Sequence, residues 1–108
     1  MTQASLDDFK KIELRVAKVL SADEVPGADR LWRLTIDAGE GAKQIVAGIK
    51  LYYTKESLVG RSIVVVNNLQ PAVIRGVESN GMLLAAKNAG ELTLLTLDKE
   101  LPPGSIVG

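Results

Sequence analysis

Residues 67–82 concentrate the side chains best equipped for directional recognition. They run Asn67-Asn68-Leu69-Gln70-Pro71 and then Ile74-Arg75-Gly76-Val77-Glu78-Ser79-Asn80-Gly81-Met82. Amides donate and accept hydrogen bonds together, which suits base edges or ribose hydroxyls. Arg75 can pair bidentately with phosphate or stack on a base, and glycines let a backbone approach closely. A plainer reading of the same residues is structural: Asn68 and Ser79 cap local turns, and Met82 packs in the core. Arg15 and Arg33 fall on the polar faces of alternating segments, where a barrel could present both on one exterior wall. They could equally be ordinary solvated charges.

Covalent and acid–base chemistry have little to work with. The 108 residues contain no Cys and no His, which removes thiol nucleophiles, imidazole bases, disulfides and ordinary zinc sites. Asp7-Asp8 and Asp23-Glu24 are adjacent in sequence and read as solvated pairs. No glycine-rich phosphate loop is present. No catalytic residue, cofactor or metal ligand is therefore expected. Aromatic residues make up 4%, too few for a platform on which successive single-stranded bases stack. Trp32 alternates in phase with Leu34, which points to core packing ahead of base stacking. Of Tyr52 and Tyr53, one is expected packed and the other exposed.

Thirteen basic residues balance thirteen acidic ones, so binding by bulk charge is excluded. The balance is uneven along the chain: residues 1–8 carry −2, residues 9–75 carry +4 and residues 76–108 carry −2. Wholly apolar runs such as residues 63–66 and 82–86 are far below the roughly 20 residues of a membrane helix. Met1-Thr2-Gln3-Ala4 lacks the basic-then-apolar order of a secretory signal. A cytoplasmic protein without membrane association is the expectation.

The elements that must position these groups read as a small all-β protein. Ser5-Leu6-Asp7-Asp8 opens with a capping-box-like start, giving one or two helical turns to about Lys11. Ile12, Leu14 and Val16 then share one face of a strand, and Glu13, Arg15 and Ala17 the other. Val19-Leu20 breaks the period, as a bulge in a bending strand does. After a Pro26-Gly27 turn, residues 32–37 alternate as a second strand, and a third lies near residues 43–47. Thr54 caps a short turn, with Gly60 as its stop. Residues 61–67 read as a strand buried on both faces. Residues 82–86 and 92–97 are further strands around an Asn88-Ala89-Gly90 turn, and Ile106-Val107 can add a last pairing. Closure removes exposed edges, so the expected architecture is a five-stranded OB-fold barrel with a short helix between strands 3 and 4. One domain over residues 1–108 is expected, with residues 1–4 flexible.

Six blocks, in order, carry a resemblance. Asp8-Phe9-x-x-Ile12-x-Leu14-Arg15-Val16 comes first, then Pro26-x-Ala28-Asp29-Arg30-Leu31 and Gln44-Ile45-Val46-x-Gly48-Ile49. Tyr53-Thr54-x-x-x-Leu58-Val59-Gly60, Asn68-Leu69-x-Pro71 and Arg75-Gly76-Val77-Glu78-Ser79-x-Gly81-Met82 complete the set. Together they resemble the tRNA-binding domain appended to bacterial methionyl-tRNA synthetases. Similar domains occur as freestanding tRNA-binding proteins, in the yeast synthetase cofactor and in the endothelial monocyte-activating polypeptide.

The resemblance implies an OB-type barrel with added terminal structure and a homodimer to which those additions contribute. It also implies shape-directed tRNA binding that assists methionyl-tRNA aminoacylation, the chemistry lying elsewhere. Arg15, Asn68, Arg75, Ser79 and Met82 match the family's motif positions. Lys43 stands where relatives carry a base before Gln-Ile-Val, and Lys87 follows the last motif. Arg15, Lys43 and Arg75 would hold phosphates, Asn68 and Ser79 would meet ribose or base edges, and Met82 would support the loop from beneath. Relatives often have Asn-Leu-Lys-Pro followed by bases; here Gln70, Ala72 and Val73 take those places. Modest affinity per subunit follows, and the catalytic body of a synthetase is a further partner. The alternatives are a protein-interaction module of a synthetase and a peptide-binding, chaperone-like relative.

Overall fold

Apolar side chains at every second position leave a strand one buried face, and a single inserted residue swings the next segment around the core. Strand β1 (Leu14–Val25) does this in the computed structural model, which describes residues 2–108. Its core residues are Ala17, Val19 and Ala22, an interval of two and then three. The pairing with β2 (Ala28–Asp37) shifts register between Val19 and Ser21, leaving Leu20 half-exposed. The bend gives β1 different neighbours along its length. Its first half pairs with β4 (Ser62–Val66), and its second half with β2.

Before β1, Ser5 caps α1 (Leu6–Lys10) by accepting from the Asp8 amide at 3.0 Å. Residues 2–4 are exposed without regular structure; Met1, the rest of the stretch expected to be flexible, lies outside the described residues. The expected start of the strand at Ile12 moves to Leu14, because Ile12 is the turn residue that closes α1 on Phe9.

All sheet pairings are antiparallel. The main sheet runs β3 (Ala42–Ala47), β2, β1, β4, β7 (Met82–Leu83), with β10 (Ile106–Val107) beside the start of β1. Two hairpins stand apart, β5 (Ala72–Ile74) with β6 (Val77–Ser79) and β8 (Ala85–Asn88) with β9 (Glu91–Leu94). The chain is all-β, but among the described residues the five strands expected resolve into ten segments. Residues 95–97 fall outside β9, and the β5–β6 hairpin lies where the alternation indicates no strand. Thr54 caps α2 (Lys55–Leu58) between β3 and β4, accepting from the Ser57 amide at 3.2 Å. Among the described residues, no helix is long and apolar enough to cross a membrane.

Leu34, Ile36, Ile45, Leu58, Ile63 and Val65 are fully buried, each contributing roughly 1.5–3 kcal/mol by leaving water. Trp32 joins this core and donates its indole N–H to the Tyr53 carbonyl at 2.8 Å. Tyr53 packs on the same core while Tyr52 is exposed, as the sequence indicates.

Candidate nucleic-acid interface

The Ser79-x-Gly81-Met82 motif joins two parts of the backbone. Ser79 is 3% exposed, and its hydroxyl accepts from the Val46 amide of β3 at 2.9 Å while donating to the Gly81 carbonyl at 3.1 Å. The Asn80 amide donates to the Gln44 carbonyl at 2.9 Å, and the Gln44 side chain donates to the Glu78 carbonyl at 2.8 Å. These bonds connect the outer edge of β3 to residues 78–81. Gly81 has φ +134°, and a Cβ there would lie 3.0 Å from the Val66 carbonyl oxygen, so glycine is required by both conformation and space. Ser79 is thus a cross-strand bridge rather than the cap of a local turn. Met82 is 47% exposed beside Val66. It does not pack in the core, because β7 lies at the margin of the sheet.

A second cluster forms where β1, β3 and β4 end together. Arg15 Nε donates to Glu13 Oε1 at 2.9 Å, and Asn67 Nδ2 donates to the same oxygen at 3.0 Å. Lys43 Nζ donates to the Asn67 carbonyl at 3.1 Å and to Asn67 Oδ1. Asn68 braces the chain entering β1, accepting from the Glu13 amide at 2.8 Å and donating to the Lys11 carbonyl at 2.7 Å. The structure therefore gathers Arg15, Lys43 and Asn68, but engages each of them within the chain. Two residues outside the expected set, Glu13 and Asn67, hold the cluster together. Glu13 shares a strand face with Arg15, which is the one sequence signal that could have found it.

The donors around Glu13 have a titration consequence. The Asn67 hydrogen bond, then the Arg15 hydrogen bond and the charges of Arg15 and Lys43, outweigh desolvation and hold its carboxyl below the ordinary 4.5. Unfolding releases that restraint, so the unfolded chain binds the proton more tightly. The stabilisation is complete above the unfolded value of 4.5 and is lost as pH falls through the lower folded value. Urea midpoints measured across that range should decline less steeply for Glu13→Gln than for the unaltered protein. Parallel declines would show that the cluster does not hold this carboxylate ionised.

Arg15 and Arg33 do not share a wall. Arg15 pairs with Val65 and lies in phase with the core residues Ala17 and Val19, on the inner side of the sheet at its end. Arg33 alternates with Trp32 and Leu34, faces outward, and lies 3.8 Å from Asp23. Val16 and Ala17 are both buried, so the apolar Ile12, Leu14 and Val16 positions point to the wrong core face at the start of the strand.

Arg75 and Lys87 lie away from both clusters. Arg75 occupies the tip of the β5–β6 hairpin with φ +53°, followed by Gly76 at +78°. Lys87 lies on β8 beside a cleft that Tyr52, Asn88 and Thr93 also line. Ion pairs form at Lys11–Asp8, Arg15–Glu13, Lys18–Glu100, Arg33–Asp23 and Lys50–Glu24. Among the described residues, Arg30, Arg75 and Lys87 belong to none of them. Of the expected bases, Arg75 and Lys87 are the ones left to meet an external anion at no internal expense.

Comparison with known proteins agrees with the resemblance carried by the six blocks. The chain is 55% identical over 103 residues to the methionine–tRNA ligase of Thermotoga maritima, covering 95% of the chain and 16% of the ligase. It thus spans about a sixth of the length of that relative. The MetRS-related protein from Pyrococcus horikoshii superposes over the whole of both chains with a TM-score of 0.93 and 33% identity. The chaperone CsaA from Bacillus anthracis superposes with a TM-score of 0.89 and 37% identity, covering 99% of this chain and all of CsaA. The family described as "Putative tRNA binding domain" matches residues 14–106, from the first residue of β1 into β10, and the chain belongs to that tRNA-binding family.

Proposed function

We propose that this chain is a non-catalytic tRNA-binding module that assists methionyl-tRNA aminoacylation, as a synthetase appendage or as a freestanding cofactor in the cytoplasm. The match of residues 14–106 to the tRNA-binding family carries this reading, and the 55% identity to a methionine–tRNA ligase supports its synthetase association. Residues 1–108 act as one domain. The bonds from Ser79, Asn80 and Gln44 across the outer edge of β3 support closure into an OB-type barrel.

Recognition is by shape and phosphate spacing. Arg75 and Lys87 stand on hairpins instead of flanking a row of exposed aromatic rings, so the bound form is structured RNA rather than an extended single strand. Arg75 and Lys87 act as phosphate contacts, with Arg15, Arg33 and Lys43 contributing once their carboxylate or amide partners yield. Asn68, Ser79 and Met82 maintain the backbone that carries them. Gln70, Ala72 and Val73 at positions that relatives fill with bases keep affinity modest. A homodimer supplies a second attachment point, through the apolar surface of Leu6, Phe9, Ile12 and Ile106. Ile106 is 80% exposed, which supports a covered position in an assembly.

Filter binding of bulk tRNA across a salt series tests this reading. Two to five phosphate contacts give log K against log salt a slope between about −1.4 and −4.5. A slope near zero, or no retention at low salt, overturns it. Solution mass with and without tRNA should report a dimer in both states.

A second reading has its own support. The likeness to CsaA accompanies an apolar cleft lined by Val46, Ile49, Ile74, Met82, Leu83 and Leu92, which suits an extended peptide. Capture of an unfolded polypeptide that survives nuclease and is not displaced by tRNA favours this peptide-binding role.

A further inference from the structure

The Arg30 motif block is the one whose basic residue the reading above leaves without a task. Two hairpins bring it to Arg75. In the first, Val25 pairs with Ala28 around Pro26-Gly27, with Gly27 at φ +76°. In the second, Ile74 pairs with Val77 around Arg75-Gly76. Both loops have two residues; the second ladder is regular, while the first shifts register between Glu24 and Val25, so Asp29, Arg30 and Leu31 bulge out beside the tip. Between them lies a cleft of 630 Å³ lined by Gly27, Ala28, Asp29, Arg30, Leu31, Val73, Ile74 and Arg75.

Three observations converge there. Arg75 occupies the left-handed region at φ +53°, a position that glycine or asparagine fills without the strain an arginine bears. Arg30 and Arg75 are exposed and outside every ion pair among the described residues. Val73, 72% exposed, adds apolar surface to the same cleft. The charged lining residues are Arg30, Arg75 and Asp29, leaving one positive charge. One phosphodiester carries one negative charge and is flanked by sugars that can lie on Val73 and Ile74. A free phosphate or a run of acidic residues would bring more charge than the cleft neutralises and would leave its apolar wall bare.

We propose that Arg30 and Arg75 form a clamp for a single RNA backbone phosphodiester, with Val73 and Ile74 supporting the adjoining sugar; this rests on the tRNA-binding reading. Guanidinium forks give directional, charge-assisted bonds to phosphate oxygens. Because both act on one anion, their contributions are coupled.

The test measures tRNA affinity and its salt slope for the full chain, with folding checked by circular dichroism. Arg30→Ala and Arg75→Asn are compared singly and together; asparagine removes the charge yet tolerates the turn. Lys99→Ala, an exposed lysine away from the cleft, controls for generic charge. Each arginine variant should lose about tenfold in affinity, and the pair should lose clearly less than the product. The slope should fall by about 0.7–0.9, one phosphate, in the single and double variants alike. Arg30→Lys should recover only part of the loss.

Unaltered protein that binds tRNA, with Arg30→Ala behaving like Lys99→Ala, overturns the clamp and leaves the tRNA reading intact. Multiplicative losses with a doubled change in slope also overturn it, by showing two separate contacts. Polyglutamate competing as strongly as tRNA would reassign the cleft to acidic protein segments. Unaltered protein that binds no tRNA removes the functional reading and the clamp together.

Discussion

Gly39→Ala should lower the unfolding free energy by on the order of 3 kcal/mol, combining left-handed strain with a backbone collision. Gly39 has φ +96°, and a Cβ there would lie 2.7 Å from the Gly104 Cα, 3.2 Å from its nitrogen and 3.3 Å from the Pro103 carbonyl oxygen. All three are backbone atoms, so no side chain can rotate away. Gly104 reciprocates with φ +90° and the Gly39 Cα at 3.0 Å from its own added Cβ. This contact presses the C-terminal segment onto the end of β2. There the Gly104 amide donates to the Val16 carbonyl at 2.8 Å, and the Val16 amide to the Ser105 carbonyl at 2.9 Å.

Displacing residues 103–105 therefore loosens β10 from β1 as well. Gly41 is the matched control: its φ is +90°, but a Cβ there meets nothing within 4 Å. Gly41→Ala should cost only the strain, about 1 kcal/mol. Urea midpoints for the two variants decide the matter. Equal losses would mean that the close approach at Gly104 contributes nothing.

Ser79→Ala should destabilise the fold by about 1–3 kcal/mol, the cost of leaving a buried donor without its partner. The Val46 amide loses its acceptor and the Gly81 carbonyl its donor, in a place that water does not reach. The denaturation midpoint should fall with little change in slope, since the surface exposed on unfolding hardly alters. With the hydroxyl already committed in both directions, tRNA affinity of the folded variant should remain close to that of the unaltered protein. An unchanged midpoint with a large loss of affinity would return Ser79 to the role of a direct RNA contact.

The difference between Ser79 as a ligand and Ser79 as a bridge shows where local reading reaches its limit. Its motif position marks the residue as special, and the three-dimensional pairing supplies the reason: β3 and residues 78–81 are far apart along the chain. Asn68 behaves alike, since its partners Glu13 and Lys11 lie more than fifty positions away. Arg33 and Arg15 divide to opposite sides of the sheet because Arg15 lies in phase with the core residues Ala17 and Val19, whereas Arg33 lies between the core residues Trp32 and Leu34. By contrast, the caps at Ser5 and Thr54, the bulge itself and the burial of Trp32 depend on neighbours a few positions away or on simple alternation. They stand in the structure as expected.

From its amino-acid order alone, this chain declares an all-β class, two short capped helices and membership of a tRNA-binding family. Each rests on short-range periodicity, on turn and cap chemistry, or on motifs kept in order. Only the tertiary structure decides which charges are free. Coulomb attraction and hydrogen bonding act across space, so pairing Glu13 with Asn67, and Asn67 with Lys43, depends on where β1, β3 and β4 end. The same packing leaves Arg30 and Arg75 together on one cleft and outside every ion pair among the described residues. The thirteen bases are visible in the sequence; their availability is a property of the fold.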